Sequence, residues 1–274
     1  MTATTITNVT LSNGVHMPIL GLGVFKVVDE EAESIVKAAI DAGYRHIDTA
    51  AAYKNEAGVG AGVRASGIAR DQIFVTTKIW NSEQGYDTTL AAFQASLDKL
   101  DMEYVDLLLV HWPVKGKYTE TWRALESIYK SGKARAIGVS NFQIHHLKDV
   151  LASGTIVPMV NQVEYHPLLT QEELLAFCRD NGIQLTAWSP LMQGNLDLPE
   201  LAEIGAKYGK SPAQVVLRWD IQNGVITIPK TTTPSRLTEN ANIFDFQLTE
   251  DEMKQISALN RNRRFGSDPD NFNF

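Results

Sequence analysis

The sequence predicts an α/β fold, a closed (β/α)8 TIM barrel with an N-terminal β-hairpin and extra helices near the C-terminus. Three observations predict it. Short β-rich apolar runs alternate with amphipathic runs along most of the chain. The β-rich runs are apolar throughout, as in a parallel sheet whose outer face is covered by helices. Polar residues recur where those runs end: Asp48, Lys78, His111, Ser140-Asn141, Gln162 and Glu164, Ser189, and Lys230. In a barrel the carboxyl ends of the strands carry the chemistry.

The elements follow in order. Val9–Leu11 and Val15–Met17 flank Ser12-Asn13-Gly14, a hairpin signal placed to plug the barrel floor. Strands are expected at 19–22, 46–49, 73–78, 105–111, 134–140, 160–164, 184–188 and 225–228. Helical patterns lie at about 30–42, 55–66, 88–100, 119–131, 144–153, 171–181, 211–223 and 234–240. Gly43, Gly132, Gly154, Gly182 and Gly224 each follow a helix pattern, as left-handed terminators do. Pro199–Tyr208 reads as an additional helix. Ser211-Pro212 offers an N-cap with proline at the first helical position, and Thr249-Glu-Asp-Glu252 is a capping box opening a last helix. No linker or composition shift divides the 274 residues, so 1–274 is expected to be one domain.

Composition narrows the function. Apolar residues make up 44%, enough for a buried core. A net charge of −7 without a Lys/Arg tract argues against nucleic acid and anionic membranes as partners. The single cysteine, Cys178, supports neither a disulfide framework nor a zinc cluster and points to a reducing cytoplasm. It sits in a helix pattern and reads as a packed thiol. The start, Met1 to Asn8, lacks a basic region followed by an apolar stretch, so no leader is expected. No apolar run approaches the roughly 20 residues of a membrane span.

Several motifs fail. Gly58-Val-Gly60-Ala-Gly62-Val63 lacks the third glycine of a dinucleotide fingerprint and lies inside a helix pattern. Gly209-Lys210-Ser211 resembles the end of a phosphate loop, but Ile204 stands where the first glycine belongs. The adjacent His145-His146 point about 100° apart on a helix and read as surface or packing residues, so no metal is expected. His166-Pro167 is placed in a loop near the barrel mouth.

Asp48, Tyr53, Lys78 and His111 stand out. Taken singly, each has a structural reading as ion pair, packing residue or core histidine. Gathered in one place, they can deliver a proton to a carbonyl oxygen.

Gly43-Tyr-Arg-His-Ile-Asp-Thr-Ala-Ala-Ala-Tyr53 with Asn55-Glu56, Thr76-Thr-Lys-Ile-Trp-Asn81 and Tyr104-Val-Asp-Leu-Leu-Leu-Val-His-Trp-Pro113 resemble the aldo-keto reductase family. So do Ile137-Gly-Val-Ser-Asn-Phe142, Val160-Asn-Gln-Val-Glu-Tyr-His-Pro167, Trp188-Ser-Pro-Leu-Met-Gln-Gly194 and Ile228-Pro-Lys-Thr231. The resemblance runs through the chain and is closest to short prokaryotic members, the branch of 2,5-diketo-D-gluconate and methylglyoxal (glyoxal) reductases. It implies a barrel that binds NADPH across its mouth and reduces a small-molecule carbonyl substrate, usually as a monomer.

It also implies roles. Hydride goes to the carbonyl carbon and charge builds on the oxygen. Tyr53 is the expected acid, and Lys78 is expected to lower its pKa and ease proton release. Asp48 keeps Lys78 charged. His111 orients the carbonyl. Ser140, Asn141 and Gln162 resemble the groups that hold the carboxamide, and Trp188 the ring beneath the nicotinamide. Ser189, Leu191 and Gln193 would line the pyrophosphate. Lys230, Thr231 and Arg236 would clamp the 2′-phosphate, and Glu239 and Asn240 would meet adenine. Thr233 departs from the pattern where a further Arg would strengthen that clamp. Substrate walls are expected from Phe25, Trp80, Asn81 and Trp112, with the tail near Phe265. Arg263 and Arg264 read as a solvated tail. A short rim predicts an open, tolerant pocket.

Two rivals remain at this level. Lys78 could form a Schiff base in an aldolase, but a reactive amine needs a lowered pKa and Asp48 would raise it. A nucleotide-sensing regulatory barrel without turnover is the alternative outside catalysis.

Overall fold

The computed structural model describes residues 6–274. Residues 1–5, on which part of the leader reading rests, lie outside the described residues. An antiparallel hairpin opens it, β1 (Asn8–Thr10) and β2 (His16–Pro18). Then come β3 (Leu22–Gly23), α1 (Asp29–Asp41), β4 (His46–Asp48), α2 (Glu56–Ala65), β5 (Phe74–Ile79), α3 (Tyr86–Leu100), β6 (Val105–Val110) and α4 (Tyr118–Lys130). They are followed by β7 (Ala134–Ser140), α5 (Ile144–Ser153), β8 (Val160–Glu164), α6 (Glu172–Asp180) and β9 (Gln184–Trp188). Last are α7 (Pro199–Tyr208), α8 (Pro212–Gln222), β10 (Ile226–Thr227), α9 (Pro234–Ala241) and α10 (Glu250–Ser257).

Strands β3 to β10 form one parallel sheet in sequence order. Parallel bridges Leu20↔Thr227 and Gly23↔Lys230 join its first and last strands and close the barrel. Gly21 N donates to Thr227 O at 2.9 Å, and Thr227 N to Ile19 O at 2.9 Å. The closing strands are shorter than the expected 19–22 and 225–228. Pro229 has no amide proton and interrupts the ladder, but its carbonyl still accepts from Gly23 N at 3.2 Å.

The hairpin lies under the floor: Met17 is fully buried, and Asn13 Nδ2 donates to Arg135 O at the start of β7. At the floor a buried carboxylate holds two partly exposed arginines. Asp106 pairs with Arg70 and Arg135, each at 2.8 Å, and accepts from Val75 N.

The helices lie within two residues of their expected bounds. The glycines that imitate a nucleotide fingerprint form a packing stripe on α2. A Cβ on Gly58 would come 2.3 Å from Asp29 O, and one on Gly60 2.0 Å from Leu100 O. Gly154 is the one expected left-handed terminator that is not: its φ is −88°. A Cβ there would meet the Trp122 indole at 2.7 Å, so close packing demands the glycine. The caps form as read, with Ser211 and Thr249 accepting from Gln214 N and Glu252 N. Among the described residues no helix is long and apolar enough to cross a membrane.

Candidate active site

The carboxyl ends of neighbouring strands bring the polar residues together. Asp48 ends β4, Lys78 lies one residue before the end of β5, and His111 follows β6, its amide bonded to Ile79 O. Lys78 is fully buried. Its ammonium donates to Asp48 Oδ1 at 2.6 Å, Thr49 O at 2.9 Å and the Tyr53 hydroxyl at 3.3 Å. Those three acceptors match its three protons. Asp48 Oδ2 accepts from Gln162 Nε2 at 2.7 Å. Burial works against the Lys78 charge, but Asp48 and Tyr53 outweigh it and raise its pKa.

Tyr53 ends a short 3-10 turn, Ala51–Tyr53, closed by Lys54 in the left-handed region at φ 56°. Asn55 braces that turn. Its Nδ2 donates to Val24 O and Val27 O, and its Oδ1 accepts from Thr49 Oγ1. The phenol departs from expectation. Lys78 does pull its pKa down, but burial pushes it up and Asp48 adds to burial, so the pKa lies above the ordinary phenol value. The expected lowering is overridden, because removing a phenolate from water costs more than one shared cation returns.

His111 packs edge-on to Tyr53 at 5.8 Å and to Trp80 at 5.1 Å. Burial and then the Lys78 charge hold its pKa well below the ordinary value, so the ring is neutral. Its Nδ1 is buried without a partner. A neutral imidazole carries one N–H, and that N–H can donate to a carbonyl oxygen.

The residues expected around a dinucleotide lie along the next strand ends. Ser140, Asn141 and Gln162 are buried in one network. Ser140 Oγ donates to Gln162 O; Asn141 Nδ2 donates to His111 O and lies 3.2 Å from Ser140 Oγ. Trp188 is half-buried, and its Nε1 donates to Asn141 Oδ1 at 2.8 Å. Ser189, at φ 52°, and Leu191 are half-buried in the loop after β9, where Gln193 is exposed. Lys230 and Arg236 are exposed, with Thr231 buried between them. Glu239 accepts from Ser211 Oγ at 2.6 Å, and Asn240 is buried on the same helix, α9.

Of the expected walls, Phe25 packs on Tyr53 and Trp80 on His111. Phe25 is 54% exposed with its ring 5.1 Å from Tyr53. Trp80 and Trp112 meet a part of the tail that the sequence reading missed. Phe274 stacks on Trp80 at 5.9 Å and meets Trp112 edge-on, while Phe272 packs against Trp112. Asn81 Nδ2 donates to the Phe274 backbone oxygen. A cleft of about 850 Å3 beside them is lined by Trp80, Asn81, Tyr118, Phe272 and Phe274, while Tyr53, Lys78 and His111 do not line it. Phe265 lies elsewhere, against His166 and above Glu164. Aromatic residues at 272 and 274 were the available signal; their distance along the chain from any strand end concealed it.

The adjacent histidines reach the same tail. His145 Nε2 lies 3.0 Å and His146 Nε2 3.6 Å from Asp270 Oδ1. His146 Nδ1 accepts from Gln143 N, so its Nε2 carries a proton and is a poor metal ligand.

Fold and site together define a barrel whose candidate reacting groups collect at the carboxyl face. The aldo/keto reductase family model matches residues 19–261. The chain belongs to that family and is an oxidoreductase. It is 59% identical to the glyoxal reductase of Bacillus subtilis over 268 residues, 97% of each protein. It is 56% identical to the 9,11-endoperoxide prostaglandin H2 reductase of Trypanosoma cruzi, over 96% of this chain and 95% of the other. Among solved structures, the Bombyx mori aldo-keto reductase in complex with NADP is 37% identical with a TM-score of 0.92. That match covers 97% of this chain and 96% of the other.

Proposed function

We propose that this chain reduces small carbonyl compounds to alcohols with NADPH, and that Tyr53 is the general acid. The first substrates to expect are 2-oxoaldehydes such as glyoxal and methylglyoxal, followed by keto-sugar acids such as 2,5-diketo-D-gluconate. The observation that carries this reading is the Lys78 ammonium held between Asp48 and the Tyr53 hydroxyl. The residues fit the cofactor: Trp188 presents a half-buried flat ring, and Lys230 and Arg236 present exposed cations for a phosphate.

When bound, NADPH supplies the hydride for the carbonyl carbon. The protein's share is the oxygen. The ring N–H of His111 donates to it and fixes its place. Tyr53 gives up its proton as negative charge develops there, and Lys78 stabilises the phenolate left behind. Trp80, Trp112 and Phe274 form an apolar wall that excludes water and favours short substrates.

Residues 1–274 act as one barrel domain, a monomer in the cytoplasm. A single buried thiol supports that compartment.

The test is loss of NADPH absorbance with a panel of dicarbonyls, aldehydes and keto-sugar acids, run also with NADH. Glyoxal and methylglyoxal should turn over, with NADPH preferred, and Lys230→Ala should weaken NADPH binding. No turnover with any short aldehyde would leave the nucleotide-sensing barrel as the better reading. An unchanged NADPH affinity in Lys230→Ala would remove the phosphate clamp.

A further inference from the structure

Glu164 ends β8 as the register partner of Trp188, which ends β9. Register partners in a parallel pair project from the same face of the sheet. Glu164 is fully buried, and a carboxylate in that position needs donors. It has them. Oε1 accepts from Phe265 N at 2.6 Å and faces His166 Nε2 at 3.1 Å; Oε2 accepts from Gly266 N at 3.2 Å. Two of these donors are backbone amides of the tail, so the carboxylate fixes the tail at Phe265 and Gly266. Gln193 Nε2 adds a bond to Phe265 O at 3.3 Å.

Gly266 is pressed against the indole. A Cβ at 266 would lie 2.3 Å from Cη2 and 2.9 Å from Cζ3 of Trp188. The opposite edge of the same ring is held by the bond from Nε1 to Asn141 Oδ1. The indole is therefore gripped at both ends. Proton delivery uses none of Glu164, His166 or Gly266.

We propose that Glu164 and Gly266 form a positioning clamp that sets the plane of Trp188 and so the seat of the nicotinamide ring. The inference rests on the reading of Trp188 as the floor beneath that ring. Because Glu164 holds the tail through two amides, a methyl group added at 266 cannot lift away and must push the indole.

The test compares equilibrium binding of NADPH with that of adenosine 2′,5′-bisphosphate, which lacks the nicotinamide. Gly266→Ala should weaken NADPH by about ten-fold, the value of a lost aromatic stack, and leave the bisphosphate within about two-fold. In a Glu164→Gln background the loosened tail can yield, and the same methyl should cost about two-fold or less. Unchanged NADPH affinity in Gly266→Ala overturns the clamp, as does equal weakening of both ligands or an equal penalty in both backgrounds. A wild-type protein that binds no NADPH would sink the cofactor reading, and the clamp with it. Normal wild-type binding with an indifferent Gly266→Ala sinks the clamp alone.

Discussion

The Lys78 ammonium donates to the Tyr53 hydroxyl oxygen at 3.3 Å, and this direction decides what the phenol can do. With its oxygen accepting from Lys78, the phenol's own proton is left for a second partner. An ordinary phenol already keeps its proton at neutral pH, and burial raises the Tyr53 pKa further. In the proposed mechanism the acid is then loaded, and the cation beside it helps as the phenolate forms.

Tyr53→Phe removes the proton and keeps the ring. General acids contribute about 10²–10⁴ in rate, so turnover should fall by about that much. NADPH binding should persist, because no expected cofactor contact is lost. Steady-state kinetics and a binding titration check both halves. Near-normal turnover would show that another group supplies the proton.

Lys78→Met leaves Asp48 buried with Gln162 as its remaining side-chain donor. Breaking a buried pair costs about 3–5 kcal/mol. Adding Asp48→Asn should recover much of that stability without recovering turnover. Denaturant melts and kinetics on the three proteins separate the roles. A double variant with restored activity would make the pair purely structural.

Strand order, closure and the positions of Asp48, Lys78 and His111 were legible because strand ends are marked in sequence by polar residues after apolar runs. Gln162 was legible as a site residue but not as the second partner of Asp48, because β8 and β4 lie four strands apart in the sheet and their ends meet only once the barrel closes. The direction of the Tyr53 shift was not legible: it depends on how much water the folded site removes. The contacts of Phe272 and Phe274 were hidden for another reason. Nothing local in Asp270-Asn-Phe-Asn-Phe274 says where an irregular tail docks.

The pH dependence of stability should be set partly by His46, fully buried inside the barrel with Nε2 3.2 Å from Thr76 Oγ1. Burial lowers its pKa from 6.5 to about 4. Between those values the unfolded chain takes up a proton that the folded chain refuses. Stability is complete above pH 6.5 and declines as the pH falls toward 4, by roughly 3 kcal/mol for this one group. His46→Gln keeps a donor near Thr76 and removes the titration, so its stability should fall less steeply over that window. Parallel slopes for the two proteins would exclude His46 as the cause.

Substrate size should depend on Phe274. Its ring lies parallel to Trp80, with 7° between the planes, and edge-on to Trp112 at 5.2 Å. Each aromatic contact contributes about 0.5–1.5 kcal/mol beyond simple burial. Phe274→Ala therefore loosens the wall on which a short dicarbonyl would pack and widens the mouth beside it. The kcat/KM for glyoxal should fall several-fold, about what one such contact is worth. The value for a bulky aryl aldehyde should hold or rise, because the added space offsets the lost packing. Tyr53, Lys78 and His111 are untouched, so the proton-transfer step keeps its groups and the change should appear in the ratio between substrates. An unchanged ratio would mean that the tail leaves this wall when substrate binds, and that Trp80 and Trp112 alone set its size.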